Sequence, residues 1–442
     1  MERFAVASVL FFFWLACPVW GDAQAYTSYF TGNATDTVTE PFGGVCMMGG
    51  AAEDDNAMAW FLGRANGGDV LVLRTSGSNG YNDYLYSGLG VAVNSVETIV
   101  FNDPSADGDA YIHRKIGQAE AIWFAGGDQW TYVSYWRHTP IDSLINLAVA
   151  QRHVAIGGTS AGMAILGGYY FSAQNGTVTS SSALATPYRA NVTVDSTAFL
   201  KTPFLADVIT DTHYDNPNRK GRHVVFMARI LTDYGKLAKG IACDENTAVC
   251  IGSDGIARVF GGYPAYDDNA YFIQPNCGIA NMAPEICTMG SPLTWYLDGR
   301  ALKAYRAKGT AAGTNTFDLN DWRTGEGGMW LHWSVDRGMF AMQEGSPIDC
   351  SPPVDDDSTT VLPVIVYPNP VVDVVRIAGT DIDVMARQVE VISATGRICR
   401  LPAGTTGDGT MDVNVVRLAR GFYCLRVKLK DGAVYNAKII KN

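Results

Sequence analysis

The chain has 442 residues, a formal net charge of −11, and 47% hydrophobic against 17% charged residues. This length and composition predict a globular protein of two or three domains and exclude a chain that is disordered throughout. The acidic balance argues against a nucleic-acid partner and against binding to an anionic membrane surface.

The N-terminus has the features of an export signal. Arg3 precedes an apolar run from about Phe4 to Trp20, and Ala23-Gln24-Ala25 offers an A-x-A cleavage site. The run is short for a membrane span. We therefore predict a signal peptide over residues 1–25 and a secreted or outer-surface location.

The cysteines suit an oxidising compartment. Removing Cys17 with the signal leaves eight, an even number. Cys277 with Cys287, and Cys243 with Cys250, are candidate local disulfides. No Cys/His cluster has zinc-ligand spacing, so no structural metal is predicted. The serine-based mechanism inferred below needs no cofactor, and none is expected.

Short apolar runs alternate with helical segments between about Val45 and Ala164. The runs that read as buried strands are Val70–Leu73, Thr98–Phe101, Ala121–Phe124 and Val154–Ile156. Continuous apolar strands separated by helices predict an α/β fold with a parallel sheet covered on both faces. In such sheets, catalytic groups lie at the carboxyl ends of the strands.

A candidate nucleophile follows the last of these strands. Gly158-Thr159-Ser160-Ala161-Gly162 has the G-x-S-x-G pattern of a sharp strand-to-helix turn that lifts the serine hydroxyl into an open site. The amide of Ala161, at a helix start, can point at a developing oxyanion. An ordinary Gly/Ser-rich turn is the alternative interpretation.

A serine nucleophile needs a base and an orienting acid. Of the six histidines, His213 is the one that directly follows an apolar run, which places it at a strand end. Asp244 and Glu245 lie at the tip of another apparent strand, although a solvated turn is an alternative for this pair. The chain order serine, histidine, acid differs from that of α/β-hydrolases.

Five motifs, in this order, resemble those of the cyanophycinase and peptidase E-like serine peptidase family over about residues 43–260. They are Gly49–Asp54, Gly126–Gln129, Gly158–Gly162, Asp211-x-His213 followed by Arg219-x-x-Arg222, and Asp244–Ala248. The resemblance implies a fold like that of class I glutamine amidotransferases, with a serine in place of their cysteine. It also implies a triad of Ser160, His213 and Glu245.

The same resemblance assigns further roles. Gly127 and Ala161 would supply the oxyanion-hole amides. Gln129 would hold the aspartyl end of the substrate, and the substrate pocket would include Asp211, Arg219 and Arg222. Arginine suits a substrate rich in carboxylates because its guanidinium binds them through a bidentate fork.

Two positions depart from the family pattern. Pro217 stands where cyanophycinases have an arginine, and Thr212 where they usually have glutamine. Asp215 adds a negative charge nearby. These differences affect the pocket and leave the predicted triad complete.

The end of the chain has a different character. Residues 351–363 are rich in proline, acidic and polar residues, which predicts a linker. Short alternating β runs over residues 364–442 predict a small all-β sandwich. Its Tyr367-Pro368-Asn369-Pro370 start and Leu418-x-x-Gly421-x-Tyr423-x-Leu425 segment resemble a type IX secretion sorting domain. A carbohydrate-binding or adhesive sandwich is the alternative.

The sequence therefore predicts a catalytic domain over residues 26–350 and a sorting domain after the linker. We expect a secreted serine peptidase that hydrolyses cyanophycin, an arginine-bearing poly-aspartate, or related acidic β-aspartyl peptides. An isoaspartyl dipeptidase and a catalytically silent surface-displayed binding protein are the alternatives. The predicted partners are the peptide substrate and the secretion machinery, and the oligomeric state stays open, a homodimer included.

Overall fold

The computed structural model describes residues 24–195, 199–350, 365–378, 388–393, 397–406, 410–428 and 434–442. The predicted linker and all but Gln24 and Ala25 of the predicted signal peptide lie outside these residues. Contacts divide the chain into two units, residues 1–353 and 354–442. Each unit is described by itself.

The first unit contains eight α-helices and eighteen strands among its described residues. The helices are α1 Asp55–Arg64, α2 Gly80–Asp83, α3 Ala110–Gln118, α4 Gln129–Trp136, α5 Pro140–Arg152, α6 Ala161–Ala164, α7 Ser180–Ala185 and α8 Lys220–Tyr234. The strands are β1 Tyr26–Gly32, β2 Val45–Met48, β3 Asp69–Arg74, β4 Ser95–Phe101, β5 Ala121–Phe124, β6 Ala155–Thr159, β7 Tyr170–Phe171, β8 Val194–Asp195, β9 Val208–Asp211, β10 Lys239–Cys243, β11 Ala248–Ile251, β12 Ile256–Tyr263, β13 Asn269–Pro275, β14 Leu302–Lys308, β15 Asn315–Asp318, β16 Gly325–Glu326, β17 Gly328–Asp336 and β18 Met339–Glu344.

The larger sheet has the strand order β1-β4-β3-β5-β6-β2-β11-β12-β15-β16. Its block β4-β3-β5-β6-β2 is parallel, which confirms the parallel strands predicted from the apolar runs. Along β3, Leu71 and Leu73 pack into one apolar cluster and Val70 and Val72 into another. Both faces of this strand are therefore covered, as the continuous apolar pattern predicts.

The first unit also contains a second sheet, which the predicted parallel block does not include. Its strand order is β18-β17-β14-β13-β10-β9. Only β9 and β10 run parallel among its described pairs. Helix α8 is buried along most of its length against this sheet. The two sheets together position the site, because β6 and β2 belong to the first sheet and β9 and β10 to the second.

The predicted local disulfides are wrong. Cys277 is bonded to Cys350, 73 residues away, whereas Cys243, Cys250 and Cys287 are buried free thiols. Cys243 ends β10 in one sheet and Cys250 lies on β11 in the other. Cys243 and Cys250 are close in sequence because the chain passes directly from one sheet to the other between them. Composition does not reveal this crossing.

The second unit is all-β, as predicted. Its strands are β19 Ile365–Tyr367, β20 Val374–Ala378, β21 Gln388–Ser393, β22 Ile398–Thr405, β23 Met411–Asn414, β24 Gly421–Lys428 and β25 Val434–Lys441. They form one antiparallel series, β19-β20-β23-β22-β21-β24-β25. A bridge from Val371 to Lys441 nearly closes the sheet around an aliphatic core.

No helix among the residues described in either unit is long and apolar enough to cross a membrane.

Candidate active site

Ser160 occupies the tip of the turn between β6 and α6. Its backbone has φ 51° and ψ −114°, a conformation that a residue with a side chain rarely adopts. The turn is tight enough that a β-carbon on Gly162 would lie 2.1 Å from the carbonyl oxygen of Phe124. The glycine that the G-x-S-x-G pattern places here is therefore required by the close approach of α6 to β5.

His213 lies two residues beyond the end of β9 and faces this turn. The Ser160 hydroxyl Oγ and the imidazole Nε2 are 2.8 Å apart. On the other side of the ring, Nδ1 is 2.6 Å from Oε1 of Glu245. An imidazole with its proton on Nδ1 donates to Glu245 and accepts a hydrogen bond from Ser160.

Glu245 lies in the turn between β10 and β11, and three contacts fix it. Besides its bond to His213, its Oε2 accepts a hydrogen bond from the Asn216 amide at 3.2 Å. Its backbone N–H donates to Oδ1 of Asp215 at 2.9 Å. The hydrogen bond with His213 lowers the pKa of Glu245 against the effect of partial burial, and the Asn216 amide lowers it further. Glu245 is therefore held as a carboxylate.

The end of β2 connects all three of these segments. The amide of Ser160 donates to the carbonyl of Met48 at 3.1 Å, that of His213 to Gly49 at 2.8 Å, and that of Asn246 to Gly50 at 3.0 Å. Three consecutive carbonyls thus hold the turn of the serine, the histidine and the residue after Glu245.

Asp244, the neighbour of Glu245, points into the protein. It is 3% exposed, and its Oδ2 accepts a hydrogen bond from the Asn269 amide at 2.8 Å. Burial raises the pKa of Asp244 to about 6. Of the two candidate acids at this turn, Glu245 is the one that reaches His213.

The structure pairs Asp211 with Arg222, two residues that the family resemblance assigns to the substrate pocket. The two form a buried pair, with Arg222 Nε 2.9 Å from Asp211 Oδ2 and Nη2 2.5 Å from Oδ1. The guanidinium also lies near the rings of Phe171 and Phe226. Burial alone raises the pKa of Asp211, but the charge of Arg222 outweighs it and lowers the pKa below its ordinary value.

The inward direction of the Arg222 side chain has a simple cause. Arg222 lies in the first turn of α8, where the helix packs against the second sheet, so its side chain is directed inward. Arg219 precedes the helix and is only partly buried; its Nη1 donates to the carbonyl of Thr212 at 3.1 Å. Of the two predicted arginines, Arg219 is the one that keeps an exposed surface.

The remaining predicted residues lie around the serine. Ala161 follows Ser160 and begins α6. A β-carbon on Gly126 would lie 3.6 Å from Cβ of Ser160, so the Gly126–Gly127 turn passes beside the hydroxyl-bearing residue. Gln129 begins α4 and donates a long, 3.4 Å hydrogen bond to the carbonyl of Phe171.

The sequence pattern shows Asp215 only as an added negative charge and does not reveal that it supports Glu245. Nor does the pattern reveal the contact of Asn216 with Glu245. Both follow His213 within three residues, which is the one signal that could have pointed to them. Among the described residues, no group of three or more His, Cys, Asp or Glu side chains is arranged to hold a metal ion.

Comparison with family models confirms both resemblances inferred from the motifs. Residues 80–259 match the model of Peptidase family S51, and residues 365–442 match that of the Secretion system C-terminal sorting domain. The second match indicates export by type IX secretion to the cell surface or beyond it.

Curated relatives include a cyanophycinase of Synechococcus elongatus, 26% identical over 230 residues. The match covers 49% of this chain and 66% of the relative, so the chain spans slightly less than two thirds of its length.

Two solved structures also align. A peptidase from an acI-B1 Actinobacterium has a TM-score of 0.38 at 12% identity, and the alignment covers 52% of this chain and 91% of the peptidase chain. A putative peptidase E protein from Listeria monocytogenes EGD-e has a TM-score of 0.33 at 17% identity, and the alignment covers 50% of this chain and 98% of the Listeria chain. The likeness to class I glutamine amidotransferases stays a prediction.

Proposed function

We propose that the chain is an exported serine peptidase in which Ser160 is the nucleophile, His213 the general base and Glu245 the acid that orients it. The observation that carries this proposal is the continuous hydrogen-bonded series from Ser160 through His213 to Glu245, with separations of 2.8 and 2.6 Å. The strained backbone of Ser160 agrees with it, because such strain concentrates at functional sites.

The reaction follows from this geometry. His213 Nε2 takes the proton of Ser160 Oγ as the oxygen attacks the peptide carbonyl carbon. The amides of Gly127 and Ala161 donate to the oxyanion of the tetrahedral intermediate. The imidazolium, stabilised by Glu245, then gives its proton to the leaving amine, and water hydrolyses the acyl-enzyme by the same steps.

For the substrate, we propose cyanophycin or a related β-aspartyl peptide. The S51 match and the cyanophycinase among the relatives support this class. Arg219 and Gln129 are the candidate partners for the aspartyl carboxylate. Arg222 instead stabilises Asp211, and so the segment that leads from β9 to His213.

An isoaspartyl dipeptidase is the second candidate. Pro217 removes one cation of the family pattern, and the buried pairing of Arg222 with Asp211 removes another from the open site. A site with fewer exposed cations suits a short substrate with one or two carboxylates better than a long polyanionic backbone.

One experiment separates these cases. The secreted full chain is incubated with cyanophycin and with β-aspartyl dipeptides, the products are identified by mass spectrometry, and Ser160→Ala is the matched control. Release of β-aspartyl-arginine from the polymer supports a cyanophycinase, and cleavage of dipeptides alone supports the second candidate. If neither substrate is cut and no serine-directed reagent labels Ser160, the chain is a silent binding protein instead.

A further inference from the structure

Two buried thiols lie opposite each other on neighbouring strands of the larger sheet. Strands β2 and β11 pair antiparallel, and their register places Cys46 directly opposite Cys250. Opposite residues of such a pair have Cα atoms about 4.5 or 5.5 Å apart, and both separations fall within the range that disulfides span. The two Sγ atoms are already 3.6 Å apart. The backbone therefore has the geometry that a disulfide requires.

The two side chains also share one face of the sheet. Cys46 and Cys250 belong to the same apolar cluster, together with Met48. Cys243, the third cysteine of this region, belongs to the cluster that contains Met47, and its thiol contacts the carbonyl of Met47 at 3.8 Å. Since Met47 and Met48 point to opposite faces of β2, Cys243 packs on the other side of the sheet. The pair that can form a bond is therefore Cys46 with Cys250.

The compartment of the chain favours oxidation of such a pair. The match to the sorting domain indicates export to the cell surface or beyond it. The described residues already include a disulfide, between Cys277 and Cys350. Disulfides form and persist in oxidising compartments, so thiols that folding places face to face there are candidates for a bond.

We propose that Cys46 and Cys250 form a further disulfide in the exported chain, which ties the strand that holds the Ser160 turn to the strand that follows the Glu245 turn. Two Sγ–H bonds are replaced by one Sγ–Sγ bond. The two electrons and two protons pass to the disulfide of a thiol oxidoreductase or of oxidised glutathione, which is reduced to two thiols. The inference depends on export and on the pairing of β2 with β11, and it is independent of the peptide that is cleaved.

The bond forms while the strands are pairing. In the folded chain Cys46 and Cys250 are both 0% exposed, so an oxidant does not reach them. Burial also raises the pKa of the Cys250 thiol, which makes the reactive thiolate scarce once the chain is folded. Oxidation therefore precedes the covering of this face of the sheet.

The bond lies beneath the proposed active site. Cys46 is on β2 with Met48, whose carbonyl accepts the hydrogen bond from the Ser160 amide, and β11, which carries Cys250, begins directly after the turn of Glu245. The joined residues are 204 positions apart. A cross-link over so long a separation removes much of the freedom of the unfolded chain. The disulfide thus stabilises the fold that aligns the site and leaves the reacting atoms untouched.

The first test locates the bond in the full chain recovered after export. The chain is denatured in iodoacetamide without reductant and digested, and its peptides are identified by mass spectrometry before and after reduction. We expect the Cys46 and Cys250 peptides to be joined and to take no label until reductant is added. Cys287, a buried free thiol, is the internal control and should be labelled without reductant. Labelling of Cys46 and Cys250 without reductant, or a bond from either to Cys243, overturns the proposal.

The second test uses thermal unfolding without reductant. Cys46→Ala and Cys250→Ala each break the same bond, so we expect each to lower Tm by about 5 °C or more. The double variant should lower Tm little further, because the bond is already lost in either single variant. Cys287→Ala is the matched control and should cause a smaller loss. Losses that add in the double variant contradict the bond. Neither test requires hydrolysis, so failure of the peptidase proposal leaves this result intact.

Discussion

The imidazole of His213 lies directly against the Cα of Gly50. A β-carbon at residue 50 would be 2.4 Å from Nε2, the atom that faces Ser160, and the backbone of Gly50 has φ +113°. A side chain at this position therefore collides with the imidazole ring of His213.

We predict that Gly50→Ala displaces the His213 ring and lowers kcat/KM by about a hundredfold or more, the cost of misplacing a catalytic group by about 1 Å. Steady-state kinetics give the rate, and circular dichroism shows that the chain is folded. Gly63→Ala, in α1 and open to solvent, is the control, which should stabilise by about 0.5–1 kcal/mol without loss of activity. An active Gly50→Ala chain would remove His213 from the mechanism.

We expect substitutions of Glu245 and Asp244, the two adjacent carboxylates at the β10–β11 turn, to have different effects on activity. Glu245→Gln cannot stabilise the imidazolium, and we expect kcat to fall by about 10³- to 10⁴-fold with little change in stability. Asp244→Asn keeps its bond to Asn269 and should retain most of the activity. Kinetics of both variants decide the assignment, and a larger loss in Asp244→Asn would show that the orienting acid has been misassigned.

The raised pKa of Asp244 predicts that the free energy of unfolding depends on pH. Its pKa rises to about 6 on folding, so its protonated form favours the folded state. This contribution is complete below about pH 4 and is lost as the pH rises through 6. The free energy of unfolding of Asp244→Asn, measured by urea titration from pH 4 to 8, should therefore fall less with pH than that of the natural chain, by roughly 1–3 kcal/mol. Parallel pH profiles for the two chains would contradict the raised pKa.

We expect Arg222 to contribute to the free energy of unfolding rather than to substrate binding. Arg222→Met leaves the buried carboxylate of Asp211 without its cationic partner and should cost about 3–5 kcal/mol in urea unfolding. Replacing both partners, Asp211→Leu with Arg222→Met, should recover most of that loss. If Arg222→Met is stable and only KM rises, Arg222 binds substrate after all, as the motif suggested.

The Cys277–Cys350 disulfide closes a separation of 73 residues. By the chain-entropy relation, we expect the double variant Cys277→Ser, Cys350→Ser to lose about 4 kcal/mol of stability while activity at 25 °C is retained. Thermal unfolding with and without reductant measures the loss. Cys287→Ser, which removes a free thiol and keeps the disulfide, is the control that should lose stability in reductant as the natural chain does, whereas the double variant should respond less to reductant.

Much of the site was predictable because its residues follow strands. Apolar runs located β3, β5 and β6, and the polar residues after such runs meet at one edge of a sheet. The pairing of Ser160, His213 and Glu245 needed the family motifs, because periodicity does not say that β9 and β10 belong to a second sheet facing the first.

Other features depend on packing that a linear pattern does not record. The inward direction of Arg222 follows from the face of α8 that meets the second sheet, and the sequence equally allowed an exposed helix start. Strand β1, which pairs with β4 at the edge of the larger sheet, has a partly exposed pattern that resembles a loop. The Cys277–Cys350 bond joins segments that only the tertiary fold brings together.

The three carbonyls of Met48, Gly49 and Gly50 give the turn of Ser160, His213 and the turn that carries Glu245 a common point of attachment. Their relative positions are therefore set by one short buried strand and the two residues that follow it. A substitution outside this segment can change the surroundings of Ser160 without disturbing how these three parts of the chain are aligned.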